Sequence, residues 1–373
     1  SQNSPSVLKL TQLPSLRLRR SRLSIAGAEN QTAVLKDQDL LAGAHLVVAK
    51  VFDRFQTLLL DLDGVIYEGE SAIVDSVESI TAVRNSGIKV GYITNNSSRK
   101  PETIANQLRG FGLELSVEEV ISSAQAGVEL LSTMIPAGSK VLVVGGEGLR
   151  SKVIEAGFAI VTSSDDNPAA VIQGFAPDVA WNDLAEASYS IQRGAKWVAT
   201  NQDWTIPREK GLAPGNGTLV SAVHTAVGQL PVVAGKPERA IFETAMREFK
   251  TESAIYVGDR LDTDVLGANK SGLGSALVMT GVTTRKELLA AKSDSRPKYV
   301  LGTLNDLLSP YREPVKTKRG YKLGDSEVEL LGEKVVVSFG DPKSLDALKA
   351  ACLTIWSSGT PIHLLDVESA LYE

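Results

Sequence analysis

Apolar and polar positions along this chain follow two rhythms. Short apolar runs end abruptly in polar residues, and between them lie stretches with apolar residues every three or four positions. The first rhythm suits strands covered on both faces, the second amphipathic helices. The clearest run is TLLL at 57–60, which breaks into Asp61-Leu62-Asp63-Gly64. A helix is predicted over 73–86, with Val77, Ile80, Thr81 and Val83 on one face and Gly87 as its stop. A strand over 89–94 ends in Thr94-Asn95-Asn96-Ser97, Pro101 opens the next helix, and a strand over 120–123 precedes a helix over 124–134. Strand and helix alternating at this pace predict an α/β fold with a doubly wound parallel sheet.

The pattern restarts at 140, with strands near 141–144, 159–162, 170–175 and 196–200 and helices near 147–156, 181–193 and 217–227. The runs at 232–237 and 254–259 return to the opening style, so a second α/β domain is predicted as an insertion in the first. After about 310 come a hairpin-like EVELLGEKVVVSF and a helix over 344–357. The expected organisation is an N-terminal arm over 1–50, partly disordered, and a core domain over 51–136 and 231–308. An inserted domain over 137–230 and a small, separate α+β appendage over 309–373 complete it. Within the arm, 30–50 read as a weakly apolar helix.

Composition changes little in this picture. A net charge of -5 over 373 residues offers no case for nucleic acid. No apolar run approaches the length of a membrane span, so no membrane insertion is expected. The single cysteine, Cys352, excludes an internal disulfide framework and fits a reducing, cytoplasmic compartment. Residues 1–28 carry Lys9, Arg17, Arg19, Arg20 and Arg22 with no acid. That composition is shared by organellar transit segments and by unordered arms, and it is read here as an arm. The first residue is Ser1, read as a processed or engineered start.

Candidate chemistry lies where the apolar runs stop. Asp61 and Asp63, Thr94 and Asn95, Lys236, and Asp259 with Asp262 and Asp264 each follow such a run. In a parallel sheet these ends face one crevice. Taken singly each has an ordinary reading: an Asp-Gly turn with a solvated second acid, a helix-capping turn at Thr94-Asn95-Asn96, a loop lysine, two caps. Taken together they support phosphoryl transfer. One carboxylate attacks phosphorus, a second acid protonates the leaving alcohol, and Mg²⁺ offsets the crowded negative charge. A hydroxyl and a lysine hold the phosphoryl oxygens.

DLDGV at 61–65, ITNN at 93–96, GKP at 235–237 and GDRLDTD at 258–264 resemble the four motifs of the haloacid-dehalogenase superfamily, over roughly 55–305. The resemblance implies Asp61 as nucleophile and Asp63 as general acid/base, with Thr94, Asn95 and Lys236 binding the phosphoryl group. It also implies Mg²⁺ held by Asp61, the Asp63 backbone carbonyl and Asp259, with Asp264 behind. An insertion between the second and third motifs resembles the C2-type cap of the NagD / 4-nitrophenylphosphatase subfamily. The phrase ATNQDWTIP at 199–207 with GNG at 215–217 is similar to that subfamily's substrate loop. It implies Asn96, Asn201, Asp203, Trp204 and Asn216 as substrate contacts, although Trp204 packed in a core is the alternative.

The pyridoxal phosphate type carries a histidine where this chain has Ile206. The appendage resembles the truncated acetyltransferase-like segment of actinobacterial glycerol 3-phosphate phosphatases. The expected substrate is therefore glycerol 3-phosphate. Alternatives are phosphoglycolate, a nucleoside monophosphate, 4-nitrophenyl phosphate or pyridoxal phosphate, or a non-catalytic phosphate sensor. The appendage has no Gly-rich pyrophosphate loop, so packing or contact in a homodimer is its expected role. Cys352 and Trp356, four residues apart, are expected to face its core. His45, His224 and His363 lie near no acid, and His224 is expected on a helix surface.

Overall fold

The computed structural model describes residues 50–372. The basic arm, the helix expected over 30–50 and His45 lie outside the described residues. The first sheet has six strands in the order Tyr299–Leu301, Gly274–Val278, Ala254–Gly258, Thr57–Leu60, Lys89–Thr94 and Val120–Ser122, and every pairing is parallel. Thr57–Leu60 sits inside because its alternate side chains feed two cores. Leu58 and Leu60 pack with Tyr92, Val257 and Leu301 on one face, and Leu59 packs with Ile93, Phe242 and Tyr256 on the other. Each fully buried leucine contributes roughly 2 kcal/mol.

Helices Ser76–Asn85 and Pro101–Gly110 cover the first face through Ile80, Val83, Ile104 and Leu108. Helices Ser123–Ser132 and Arg239–Glu248 cover the second through Ala126, Ile241, Phe242 and Ala245. The sheet is thus doubly wound. Register then sets the ends level. Leu60 lies opposite Val257 on one side and Tyr92 on the other, so Asp61, Asp259 and Thr94 emerge at the same rim.

The inserted α/β cap has its own parallel sheet, in the order Val232–Val233, Lys196–Ala199, Ala170–Gln173, Lys140–Val144 and Ala159–Val161, with a hairpin of Thr205–Arg208 and Gly211–Pro214 beside it. One sequence expectation is corrected here. Val232–Val233 was expected in the first sheet, but it pairs with Val198 and Ala199 as an edge of the second. Only two residues long, and with Val232 47% exposed, it carries too little apolar pattern to announce its partner. Lys236 therefore reaches the crevice from a loop that leaves the cap, not from a strand of the first sheet.

The appendage is a five-stranded sheet, Val315–Lys316, Gly320–Leu323, Ser326–Leu331, Lys334–Phe339 and Asp366–Val367, packed on helix Leu345–Ser358. It is not separate, contrary to expectation. Its Val328, Val335, Leu348, Ala351 and Ile355 share one cluster with Val265, Leu277, Leu288, Leu289 and Val300 of the first domain. Cys352 is buried in that cluster, and Trp356 packs at its margin, where Nε1 donates to the Leu289 carbonyl at 3.2 Å. Among the described residues no helix is long and apolar enough to cross a membrane.

Candidate active site

Asp61 leaves the central strand, and Gly64, at φ +75°, turns the chain away after it. Space also requires glycine there, because a Cβ on Gly64 would lie 2.5 Å from Asp259 Oδ2. Asp61, Asp259 and Asp264 are all buried, and each offers a carboxylate oxygen within 4.8 Å of the others. Between them lies Lys236. Its Nζ is 2.7 Å from Asp61 Oδ1, 2.7 Å from Asp264 Oδ1 and 2.9 Å from the Tyr256 hydroxyl, so all three of its donors are used.

The three acids are not equivalent. Asp264 Oδ1 also accepts from the Tyr256 hydroxyl at 3.1 Å, and its Oδ2 accepts from the backbone N–H of Asp259 at 3.2 Å and of Arg260 at 3.0 Å. Asp259 Oδ2 accepts from Val282 N at 2.7 Å, which leaves its other oxygen without a donor among the described residues. Asp61 likewise keeps one oxygen without a donor among the described residues. Burial raises the Asp61 carboxyl well above its usual range; Lys236 opposes this, and Asp264 and Asp259 add to it. Burial, then the neighbouring Asp264, pushes Asp259 up to about 6. Burial alone would lower the Lys236 ammonium, but Asp264 and Asp61 hold it above its ordinary value. Three acids against one lysine leave surplus negative charge. A hard divalent cation taking hard oxygen ligands from Asp61 and Asp259 fits that donor set.

Asp63 opens onto the crevice. Its Oδ2 accepts from the Tyr67 hydroxyl at 3.3 Å, and crowding by the crevice walls raises its pKa while Arg99 opposes the rise. Thr94 is buried at the rim, where its Oγ1 accepts from Asn96 N at 3.0 Å.

Several expected contacts turn out to hold the framework. The Asn95 side chain is engaged within the protein. Its Oδ1 accepts from Lys236 N at 2.8 Å, and its Nδ2 donates to Asp203 Oδ1 at 3.2 Å and to the Lys236 carbonyl at 3.2 Å. Asn96 closes a turn, its Oδ1 accepting from Ser98 N at 3.0 Å and Arg99 N at 3.1 Å. Asn201 Nδ2 donates to the Asn95 carbonyl at 2.8 Å, and fully buried Asn216 donates to the Asn201 carbonyl at 2.8 Å. A polar side chain next to a motif is drawn to the nearest unpaired backbone groups, which is where these four asparagines spend their side chains. His224 ties its ring to the Gln229 carbonyl at 2.9 Å.

Asp203 and Trp204 do line a cavity of about 220 Å³ above Lys236, together with Gln202, Thr205, Arg260 and Asp262. Trp204 is 66% exposed there, which disposes of the core-packing alternative. Burial raises the Asp203 carboxyl, opposed by Lys236 and the Asn95 hydrogen bond. Sequence reading missed Tyr256, Tyr67, Arg99 and Arg260. Tyr256 could have been found by parity, since it shares a strand face with Gly258 and carries a hydroxyl in an apolar run.

A haloacid dehalogenase-like hydrolase model matches residues 58–159, and a second HAD-hydrolase-like model matches residues 233–307. The chain is 41% identical over 250 residues to D-glycerol 3-phosphate phosphatase of Mycobacterium tuberculosis, covering 67% of this chain and 70% of that protein. The crystal structure of glycerol phosphate phosphatase from the same organism in complex with magnesium superimposes with a TM-score of 0.77 at 34% identity, over 86% of this chain and 95% of that one. The p-nitrophenyl phosphatase from Archaeoglobus fulgidus superimposes with a TM-score of 0.64 at 30% identity, over 68% of this chain and 98% of that one.

Proposed function

The chain belongs to the haloacid dehalogenase-like hydrolases, and from that membership we propose that it is a Mg²⁺-dependent phosphomonoesterase that hydrolyses glycerol 3-phosphate to glycerol and phosphate. The observation that carries this reading is the convergence of Asp61, Asp259 and Asp264 within 4.8 Å. Lys236, 2.7 Å from Asp61, links them to the small polar cavity, which it also lines. The cavity lining is largely polar, with Gln202, Asp203, Thr205, Arg260 and Asp262, which suits the hydroxyls of a small polyol. The mycobacterial relative supports the same ester.

Lys236 holds one oxygen of Asp61, and the other attacks phosphorus. The bond from phosphorus to the ester oxygen breaks as the Asp61–phosphorus bond forms. Asp63, whose raised pKa favours the protonated form, gives its proton to the leaving glycerol oxygen. Ionised Asp63 then takes a proton from water, the water oxygen attacks the aspartyl-phosphate, and Asp61 is released with inorganic phosphate. Thr94 and Lys236 sit where the transferring phosphoryl oxygens gather charge. Asp61, Asp259 and the Asp63 carbonyl would hold Mg²⁺, which would supply charge neutralisation at phosphorus, and Asp264 stays behind as the group that orients Lys236. Asp203 receives hydroxyl hydrogens of the glycerol unit, and the Trp204 ring covers its carbons.

A panel of phosphate esters assayed with and without Mg²⁺ tests the reading. Glycerol 3-phosphate should be among the best substrates; equal rates on nucleotides or phosphoglycolate would displace it. Full activity after chelation would remove the mechanism. We also propose a cytoplasmic homodimer, supported by apolar Trp181 and Tyr189, 75% and 45% exposed on one cap helix. Light scattering that finds a monomer at all concentrations would overturn that assembly.

A further inference from the structure

We propose that the C-terminal appendage is a fixed buttress for the cation site, and that Arg285 is the positioning residue that ties the two together. This rests on the phosphatase reading above. The link starts at Asp259. Its Oδ2 accepts from Val282 N at 2.7 Å, and its carbonyl accepts from Thr283 N at 3.2 Å. Gly281 lies so close that a Cβ there would sit 2.1 Å from the same Oδ2. One step earlier, the Thr280 hydroxyl donates to the Gly64 carbonyl at 2.7 Å, beside Asp63. Residues 280–283 are therefore a strap across both acidic loops.

Arg285 ends that strap, and its whole guanidinium is given to the appendage. Nε donates to the Leu371 carbonyl at 2.9 Å, Nη1 to the Lys343 carbonyl at 2.9 Å, and Nη2 to the Pro342 carbonyl at 2.9 Å and the Ser344 carbonyl at 3.3 Å. Among the described residues it pairs with no carboxylate. A planar fork satisfied by four carbonyls from two separate segments has a single low-energy orientation. Behind the strap, Leu288 and Leu289 are buried in the core shared with the appendage. Val265, next to Asp264, enters the same core. The appendage thus presses on both the acidic loop and the strap that donates to Asp259, although its own residues stay away from the crevice.

The test is calorimetric titration of metal-free, full-length enzyme with Mg²⁺ alone, alongside steady-state kinetics. R285A should weaken Mg²⁺ binding about tenfold, the scale expected when a group that orients a metal ligand is lost. The Mg²⁺ concentration for half-maximal rate should rise by the same factor, while KM for the ester and kcat at saturating Mg²⁺ stay within about twofold. R285K should fall between R285A and the native enzyme. R312A, which breaks the surface pair with Asp346, should change neither. A folded R285A with native Mg²⁺ affinity would overturn the proposal alone. A native chain that binds no Mg²⁺ would overturn the phosphatase reading with it. Should R285A not fold, hydrogen exchange on the native chain decides: Mg²⁺ should protect 281–285 and 341–344 together, and protection confined to 281–285 would overturn the link.

Discussion

At the rim of the crevice the inserted cap meets the core domain through hydrogen bonds, with its apolar seat on helix Ser123–Ser132 set further back, whereas the appendage meets the site from behind through a shared apolar core. On the cap side the contacts are Asn95 Nδ2 to Asp203 at 3.2 Å, Asn201 to the Asn95 carbonyl at 2.8 Å, and the Thr200 hydroxyl to Ser97 at 2.9 Å. Such bonds are worth about 1 kcal/mol each and exchange readily with water, so the rim of the cap can part from the crevice while Ala124, Val128 and Leu131 stay packed on its Val141, Ile172 and Val198. On the appendage side Val328, Leu348 and Ala351 interlock with Leu277, Leu288 and Val300. Parting those would expose a continuous apolar face with nothing to replace it. The rim of the site is closed by bonds that water can replace, and its back by an apolar seam that water cannot. The Archaeoglobus enzyme, matched over 98% of its length by 68% of this chain, manages with less.

That contrast can be broken at its premise first. Both regions matter only if the crevice performs the chemistry, so Asp61→Asn should cut turnover at least about 10⁴-fold while circular dichroism stays native. Next in size, Leu348→Ala on the appendage side should cost about 2–5 kcal/mol in thermal unfolding, with KM unchanged in the folded fraction. A raised KM there would erase the distinction between front and back. On the cap side, Asp203→Ala should raise KM about tenfold and leave the melting temperature nearly unmoved, because it removes one partly buried polar contact and the substrate's acceptor.

The acids at the back give a pH signature. Asp259, pushed up to about 6, must lose its proton to hold a cation, so Mg²⁺ affinity should fall about tenfold per pH unit below 6 when followed by calorimetry. Its folded pKa lies above the unfolded value of 3.8, so the folded metal-free chain binds that proton more tightly. The metal-free protein should therefore gain stability as pH falls through about 6, while the Mg²⁺-loaded protein loses it. The smallest effect belongs to the cap rim: Trp204→Ala should raise KM only a few-fold, since the ring is two-thirds exposed and covers carbons without anchoring them.

How far the chain could be read depended on the kind of residue. Apolar runs such as Thr57–Leu60 and Ala254–Gly258 announced their strands, and their polar ends announced the acids, because burial on both faces leaves a pattern that needs no partner to be recognised. The asparagines misled. Asn95, Asn96, Asn201 and Asn216 lie beside the motifs, yet bind backbone groups whose positions no spacing records. Val232–Val233 misled for the same reason: two apolar residues fit either sheet, and only the packed cap chose.

By itself, then, the order of residues determined the doubly wound sheet, the insertion after the second motif and the set of acids around Lys236, since periodicity and strand ends are local properties. Tertiary structure alone decided that Tyr256 completes the lysine's bonds, that Arg285 spends its fork on the appendage, and that the appendage joins the core. Those outcomes turn on contacts between segments far apart in the chain, where a few tenths of an ångström separate a hydrogen bond from none and no local pattern carries the distance.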